Sequence, residues 1–427
     1  MHITLVTVGS TGDIWPYVAL GIGLKRAGHH VRLATHAHFA PLVQERGLEF
    51  SPVEGDPRQV VESDRGQAWL NTGEDPLAFA RHMAEVMRPT MSRALGDYWK
   101  ACQAADVVIY SILGWLAAHH IVEKLQIPGI AAYLQPMTPT GEFPAPVSLA
   151  LPRLGRSYNR LTYLAGEQVY WMFFRRSLNQ ARKEVLDLPP LGLRAPFARI
   201  RRQRLPLIYG YSPAVVPRPP DWPPWIHVTG YWFLDRPSYW EAPSDLVDFL
   251  QSGPPPVYVG FGSMRTQEVG KVTAVVLDAL ARSGQRGIIS SGWGGICPAD
   301  LPDYAWAVES VPHDWLFPQT AAVVHHAGAG TTAAGLRAGV PTVSVPFFGD
   351  QHFWARRVHA LGAGPRPIPL RRLSADRLAE AIRVSVSSSR IRASSGDLGR
   401  RLRTEDGVGG AVEAIEEYLT GASSQGS

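Results

Sequence analysis

Short apolar or β-branched runs, each closed by a glycine-rich turn and followed by an amphipathic stretch, repeat along most of the chain. Ile3–Val8 (ITLVTV) has the all-apolar, β-branched character of a strand buried on both faces. After a glycine turn, Pro16–His29 predicts a helix with proline in its first turn and Gly28 at its end. His30–Thr35 is the next predicted strand and His36–Gly47 the next helix. Asp106–Ser111 and Gly129–Leu134 add two more strands. Serial βα units of this kind imply a parallel, doubly wound sheet.

The alternation stops at Ser212–Trp225 (SPAVVPRPPDWPPW), too rich in proline for a helix or a central strand, which predicts an extended linker. It then restarts. Pro256–Ser263 predicts a strand and loop, Val269–Gly284 a helix, Arg286–Gly292 a strand, and Ala321–His326 and Pro341–Pro346 two more strands. The chain therefore divides into an N-terminal domain, 1–211, a linker, 212–225, and a C-terminal domain, 226–405, with a ligand cleft expected between the domains. A short amphipathic helix is predicted over Gly410–Leu419, before a polar tail. In the middle, Arg156–Leu186 predicts one long amphipathic helix or a helix pair. Its aromatic run Tyr170–Phe174 beside Arg175 and Arg176 suits a membrane surface, but packing within the domain is the expectation.

Composition narrows the partners. The 427 residues are 45% apolar and 19% charged with a net charge of +5, so two globular cores are affordable and no concentrated basic face marks a nucleic-acid binder. Two cysteines, Cys102 and Cys297, give neither a disulfide framework nor a zinc spacing, which fits a reducing cytosol. The N-terminal MHITLVTVGSTGD lacks a basic leader and reads as the start of a strand. Val107–Ala118 is the longest apolar run and is too short to span a bilayer, so the expectation is a cytoplasmic protein, with contact to a membrane surface left open.

The chemistry concentrates at His325–Thr332, HHAGAGTT. A strand ends at the histidines, glycines turn the chain, and a helix is predicted to begin near Thr331. The first amides of a helix have no partner within it and sit at the positive end of its dipole, so they suit a phosphate. Gly328 and Gly330 let an anion approach the backbone. Thr331 and Thr332 can cap the helix or donate to the anion. Downstream, Asp350-Gln351 follows a strand end, and a carboxylate beside an amide suits a ligand rich in hydroxyls. Asp350 is equally placed to cap a helix starting near His352.

At this point the chain resembles a known family. Val311–Pro365 is similar to the donor-binding signature of UDP-dependent glycosyltransferases, on the branch of the sterol glucosyltransferases and antibiotic aglycone glycosyltransferases. Val6–His36 resembles the N-terminal signature of that branch, and Val257–Met264 its second phosphate-side loop. The resemblance implies an α/β protein of GT-B fold: two Rossmann-like, doubly wound domains facing a cleft, with the last helix, 410–419, returning to the N-terminal domain. It implies that His326 meets the donor phosphates and that the amides of Ala329, Gly330 and Thr331, with Gly328, hold the diphosphate. Ser10 and Ser263 would add hydroxyls. Asp350 and Gln351 would hold the sugar, the Val311 backbone would read the base, and Trp293 would stack on it. Two positions depart from the family pattern. Ala327 replaces a glycine, a change expected to be neutral, and His352 stands where the branch commonly has proline.

Sugar transfer to a hydroxyl needs a base to take its proton. The resemblance gives that role to Asp13 in the loop Gly9–Asp13, although the same residue is well placed to cap the following helix. His29, His30 and His36 lie at element boundaries and are expected to be structural. Trp15, Trp115, Met137 and Phe143 are the expected acceptor contacts. The implied activity is inverting transfer of a sugar, glucose first, from a UDP-sugar to an apolar polycyclic acceptor such as a sterol. No cofactor and no metal is expected. The alternatives are a dTDP-deoxysugar transferase acting on an antibiotic aglycone, a nucleotide-sugar epimerase, and a non-catalytic protein of the same fold. A Rossmann dehydrogenase is disfavoured because Gly9 and Gly12 do not make the dinucleotide fingerprint.

Overall fold

A computed structural model describes residues 1–55, 76–148, 154–262, 269–290 and 301–424. The chain forms two compact units. The first takes the N-terminal part up to Leu234 and the segment from Asp406 onward; the second takes Asp235–Glu405.

The first unit is built on seven parallel strands: β1 (His2–Val6), β2 (His30–His36), β3 (Glu49–Val53), β4 (Val107–Tyr110), β5 (Gly129–Tyr133), β6 (Leu207–Tyr209) and β7 (Ile226–Val228). Their order is β3-β2-β1-β4-β5-β6-β7. The chain reverses direction across the sheet between β1 and β4, and open α/β sheets bind ligands at the carboxyl ends of such a pair. Tight turns there draw β1 and β4 together. Ser111 N–H donates to the Val6 carbonyl at 3.0 Å, and a Cβ on Gly114 would lie 2.4 Å from that same oxygen.

The second unit has strands β8 (Val257–Gly260), β9 (Gly287–Ser290), β10 (Ala305–Val308), β11 (Ala322–His325) and β12 (Thr342–Ser344), all parallel, in the order β10-β9-β8-β11-β12. Successive residues face opposite sides of a strand. Val257, Val259, Ile289, Ala322 and Val324 enter one apolar core, while Tyr258, Ile288 and Val323 enter another. Both faces are thus covered, which is why these strands read as unbroken apolar runs.

Several expectations need correction. The first helix spans Thr11–Arg26, five residues earlier than Pro16 suggested, because Ser10 and Asp13 set up its start and Pro16 is accommodated inside it. The proline-rich segment 212–225 is no linker between units. It belongs to the first unit, whose seventh strand follows it, and the chain enters the second unit only at Asp235. Arg156–Leu186 is a single 31-residue helix that buries Trp171 and Phe174. The last helix, Gly407–Ser424, is longer than expected. It packs in the first unit, with Ala411, Val412, Ala414, Ile415 and Leu419 in the same core as Ile14, Val18 and Leu24. Gly23 permits this approach, since a Cβ there would meet Val408 at 2.4 Å. No described helix is long and apolar enough to cross a membrane.

Gly407 opens that last helix against backbone. A Cβ on it would lie 2.5 Å from both the Gly230 carbonyl carbon and the Tyr231 oxygen. Gly407→Ala is therefore expected to destabilise the first unit by about 1–3 kcal/mol despite alanine's better helix propensity. Urea denaturation showing an unchanged midpoint would contradict this docking.

Candidate active site

In the second unit, β11 lies between β8 and β12, with His325 in register with Gly260 on one side and Ser344 on the other. The loops leaving all three strands therefore emerge side by side, again at a point where the sheet order reverses. After β11 the helix begins at Ala329, not near Thr331, with Gly328 as its extended N-cap. Thr331 and Thr332 consequently do not cap it, and Thr332 is fully buried. The Thr332 amide makes the first helical bond, to the Gly328 carbonyl at 2.9 Å. The amides of Ala329, Gly330 and Thr331 precede that bond and point along the positive end of the dipole.

The His326 ring sits between two glycine turns. A Cβ on Gly262 would lie 2.9 Å from its Cε1, and one on Gly328 would lie 2.4 Å from its Nε2. Gly262 is also left-handed, at φ +62°, so both positions require glycine. Burial, with His313 nearby, holds the His326 pKa down to about 4, so it offers a phosphate a neutral N–H and no charge. His325 is buried, and its Nδ1 accepts from the Ala327 N–H at 2.9 Å. That bond assigns the ring proton to Nε2. Burial, then His326 and His313, keep the His325 pKa well below the ordinary histidine range.

Ala327 itself is left-handed at φ +62° and fully buried. A non-glycine residue there costs roughly 1–2 kcal/mol, so the replacement of the family glycine is not neutral. The bond to His325 closes the same i to i+2 ring as an Asx turn and offsets part of that cost.

Beyond β12, Gln351 is buried with its Oε1 accepting from the Phe347 N–H at 2.8 Å and the Phe348 N–H at 3.2 Å. The oxygen expected to face a sugar is thus committed to the loop, and any contact with a sugar hydroxyl falls to Nε2. Asp350 occupies the N-cap position of the helix Gln351–Ala360 without a side-chain cap bond; its Oδ2 accepts from Trp354 Nε1 at 2.9 Å. Val311 is half-buried and packs against the core that contains Leu316 and Phe317. Ser263 and Trp293 lie outside the described residues.

In the first unit, the chain leaves β1 through Gly9, at φ +136°, where a Cβ would collide with Asp13 Oδ2 at 2.4 Å. Ser10 is the N-cap, and Asp13, three residues on, is not. Asp13 Oδ2 accepts from the Ser10 N–H at 2.9 Å and from Ser10 Oγ at 3.1 Å. Ser10 is therefore engaged with the carboxylate, a half-buried group at the carboxyl end of β1. His36 Nε2 accepts weakly from the Gly9 N–H, at 3.5 Å. His29 Nε2 lies 3.5 Å from Glu416 and His30 stacks on His2, which accounts for both as structural.

The acceptor candidates separate. Trp15 is exposed, two residues past Asp13. Met137 and Phe143 are half-buried in one loop after β5. Trp115 is corrected: it is 1% exposed and stacks on Phe197 at 4.4 Å, so it is a packing residue and not an open pocket wall. Sequence reasoning also missed His313, which stacks on Phe317 at 4.2 Å and is close enough to His325 and His326 to act on their charge. Its pKa is lowered to about 4 by burial, opposed by Asp314. Its place in the segment Val311–Asp314 was the available signal.

Comparison with known proteins matches this geometry. Residues 3–144 match the glycosyltransferase family 28 N-terminal domain, and residues 288–406 match the C-terminal domain of erythromycin biosynthesis protein CIII-like proteins. A sterol 3-beta-glucosyltransferase of Arabidopsis thaliana is 39% identical over 99% of this chain and 66% of its own length. One of Aspergillus terreus is 37% identical over 98% of this chain and 30% of its own. The crystal structure of the kitacinnamycin glycotransferase superposes with a TM-score of 0.67 at 20% identity, covering 97% of this chain and 98% of that one. Two Rossmann-like units, each on its own parallel sheet, are the GT-B fold of glycosyltransferases. The chain belongs to that family, in the branch of the sterol glucosyltransferases and antibiotic glycosyltransferases. It spans 66% of the plant relative and 30% of the fungal one.

The histidines carry a pH consequence. His313, His325 and His326 are neutral in the folded chain but protonate near pH 6.5 once unfolded. The unfolded state therefore binds more protons as pH falls, and stability that is full above about pH 6.5 is lost progressively toward about pH 4. Melting temperatures between pH 7.5 and 4.5 should fall, and His313→Gln should flatten the slope. An identical slope in that variant would remove His313 from the account.

Proposed function

We propose that this protein transfers glucose from UDP-glucose to the hydroxyl of a sterol-like acceptor, with inversion and without metal or cofactor. The observation that carries the reading is the 39% identity to a sterol 3-beta-glucosyltransferase along 99% of this chain. The site chemistry agrees with it. Asp13 takes the proton from the acceptor hydroxyl as that oxygen attacks the anomeric carbon. The bond from that carbon to the diphosphate oxygen breaks, and the electron pair leaves with UDP. The Ala329–Thr331 amides, the helix dipole and the neutral His326 N–H stabilise the developing charge. Fixed dipoles suffice for a leaving diphosphate when they are already aimed at it.

The same reading places the protein in the cytoplasm, at a membrane surface where such acceptors reside. Leu161, Leu164 and Met172 are exposed and recur on one face of the helix Arg156–Leu186. Exposed Leu193 adjoins them, because its carbonyl accepts from Gln168 at 2.9 Å. Arg160 and exposed Arg176 flank the stripe and suit anionic headgroups. Leu161→Asp should reduce sedimentation with phosphatidylserine vesicles; equal sedimentation would remove this face from the proposal.

The direct assay incubates the protein with ergosterol and UDP-glucose in EDTA, with dTDP-glucose as the competing donor, read by mass spectrometry. Sterol glucoside formed from UDP-glucose is expected. Product only with added magnesium or only from dTDP-glucose would overturn the corresponding part. Asp13→Asn keeps an acceptor for the Ser10 N–H but removes the basicity. Turnover should fall by about 10²–10⁴-fold while melting temperature holds. Near-normal turnover would sink the assignment of Asp13.

A further inference from the structure

The proline-rich segment 212–225 has no role in the reading above, yet it is folded as a rigid piece of the first unit. Arg218 donates to the carbonyls of Trp222, Pro223 and Ile226 at 2.9, 2.6 and 3.1 Å, and Trp222 stacks on Tyr209 with ring centres 4.9 Å apart. This scaffold fixes Asp221, whose side chain is only 11% exposed. Asp221 Oδ1 accepts from Thr140 Oγ1 at 2.6 Å, and its Oδ2 accepts from the Gly141 N–H at 2.8 Å and from Arg160 at 2.9 Å.

The stretch it grips is the loop that carries Met137 and Phe143. That loop has no helix or strand of its own, so its polar groups must be satisfied by neighbours. The long helix supplies several: Asn159 Nδ2 donates to the Gly141 carbonyl at 2.8 Å, Thr162 Oγ1 accepts from the Ala145 N–H at 2.9 Å, and Arg156 pairs with Glu142 at 2.7 Å. Tyr209 OH accepts from the Thr138 N–H at 2.8 Å. Asp221 ties the loop's turn to both the proline-rich segment and the helix. Burial raises its pKa, but the bonds from Thr140, Gly141 and Arg160 outweigh that and lower it, so it is ionised at neutral pH. A charged acceptor makes stronger bonds than a neutral one.

We propose that Asp221 is a positioning residue for the acceptor: it clamps the loop so that Met137 and Phe143 are held in place before the acceptor arrives. The proposal rests on the reading of those two side chains as acceptor contacts. A preorganised loop spares the acceptor the cost of ordering it, so loosening the clamp should weaken acceptor binding and leave donor binding alone.

Asp221→Asn and, as a milder lesion, Thr140→Val would be assayed with ergosterol and UDP-glucose varied separately, alongside hydrogen exchange of the loop amides. Both variants should raise the ergosterol KM, by about fivefold or more for Asp221→Asn. The UDP-glucose KM should stay within about twofold, and exchange should quicken at residues 138–145. A parallel rise in both KM values, or an unchanged ergosterol KM, would overturn the clamp. Met137→Ala and Phe143→Ala separate the two layers. If neither shifts the ergosterol KM, the loop is not an acceptor contact. If they shift it and Asp221→Asn does not, the clamp alone is wrong. Should ergosterol not be turned over, unchanged loop exchange in Asp221→Asn still refutes the clamp.

Discussion

Everything at the donor end depends on the pairing of one four-residue strand, β11, between β8 and β12. Parallel register makes Gly260, His325 and Ser344 neighbours, so three loops that are far apart in sequence meet at one strand end. The helix that follows β11 must then begin where its amides face outward. Shift that register by one residue and His325, now buried, would exchange faces with His326. The arrangement tolerates little bulk, which is why Gly262 and Gly328 press against the His326 ring and why an alanine at 327 is held in a conformation it resists.

The two units share a layout but carry different groups on it. In each, a glycine-bearing loop leaves a central strand beside the reversal of strand order. In the second unit the loop offers the amides of Ala329, Gly330 and Thr331 and the one N–H of a neutral imidazole. In the first it offers a carboxylate, an acceptor, at Asp13. Ser10 N–H and Oγ both bond to Oδ2 of that carboxylate, which ties it to the start of its helix at the carboxyl end of β1. The capping role offered to Asp13 by the sequence falls to Ser10 instead, with Asp13 closing back onto it from the first turn.

Much of the fold was legible because doubly covered parallel strands are apolar without interruption. Ile3–Val8, Asp106–Ser111, Pro256–Ser263 and Ala321–His326 all announced strands that exist. Strands β3, β6, β7 and β10 did not, being short or interrupted by Pro52 and His227, so their pairing comes from neighbours and not from local pattern. The start of the first helix was misplaced because Pro16 signals a first turn, whereas Ser10 and Asp13 set the true one. The glycine turn after β11 was legible as motif; the bonds from the Phe347 and Phe348 amides to Gln351 Oε1 were not, since nothing in a sequence says which side-chain oxygen a loop will claim. Trp115 misled because an aromatic after a strand end looks the same whether it faces a ligand or Phe197.

The first unit draws on chain before residue 235 and on chain after residue 405, with Asp235–Glu405 of the second unit in between. The helix Gly407–Ser424 supplies Ala411, Ile415 and Leu419 to a core whose other members lie before residue 235. On the ribosome, that core cannot close until the intervening residues have been made, a delay on the order of 10–30 s at ordinary synthesis rates. During it, the apolar face of the helix Thr11–Arg26 lies open around Gly23, while the second unit, drawn from Asp235–Glu405, has all of its own strands in hand. The part of the protein made first is the part finished last, and it is there that a nascent chain would most need protection from aggregation.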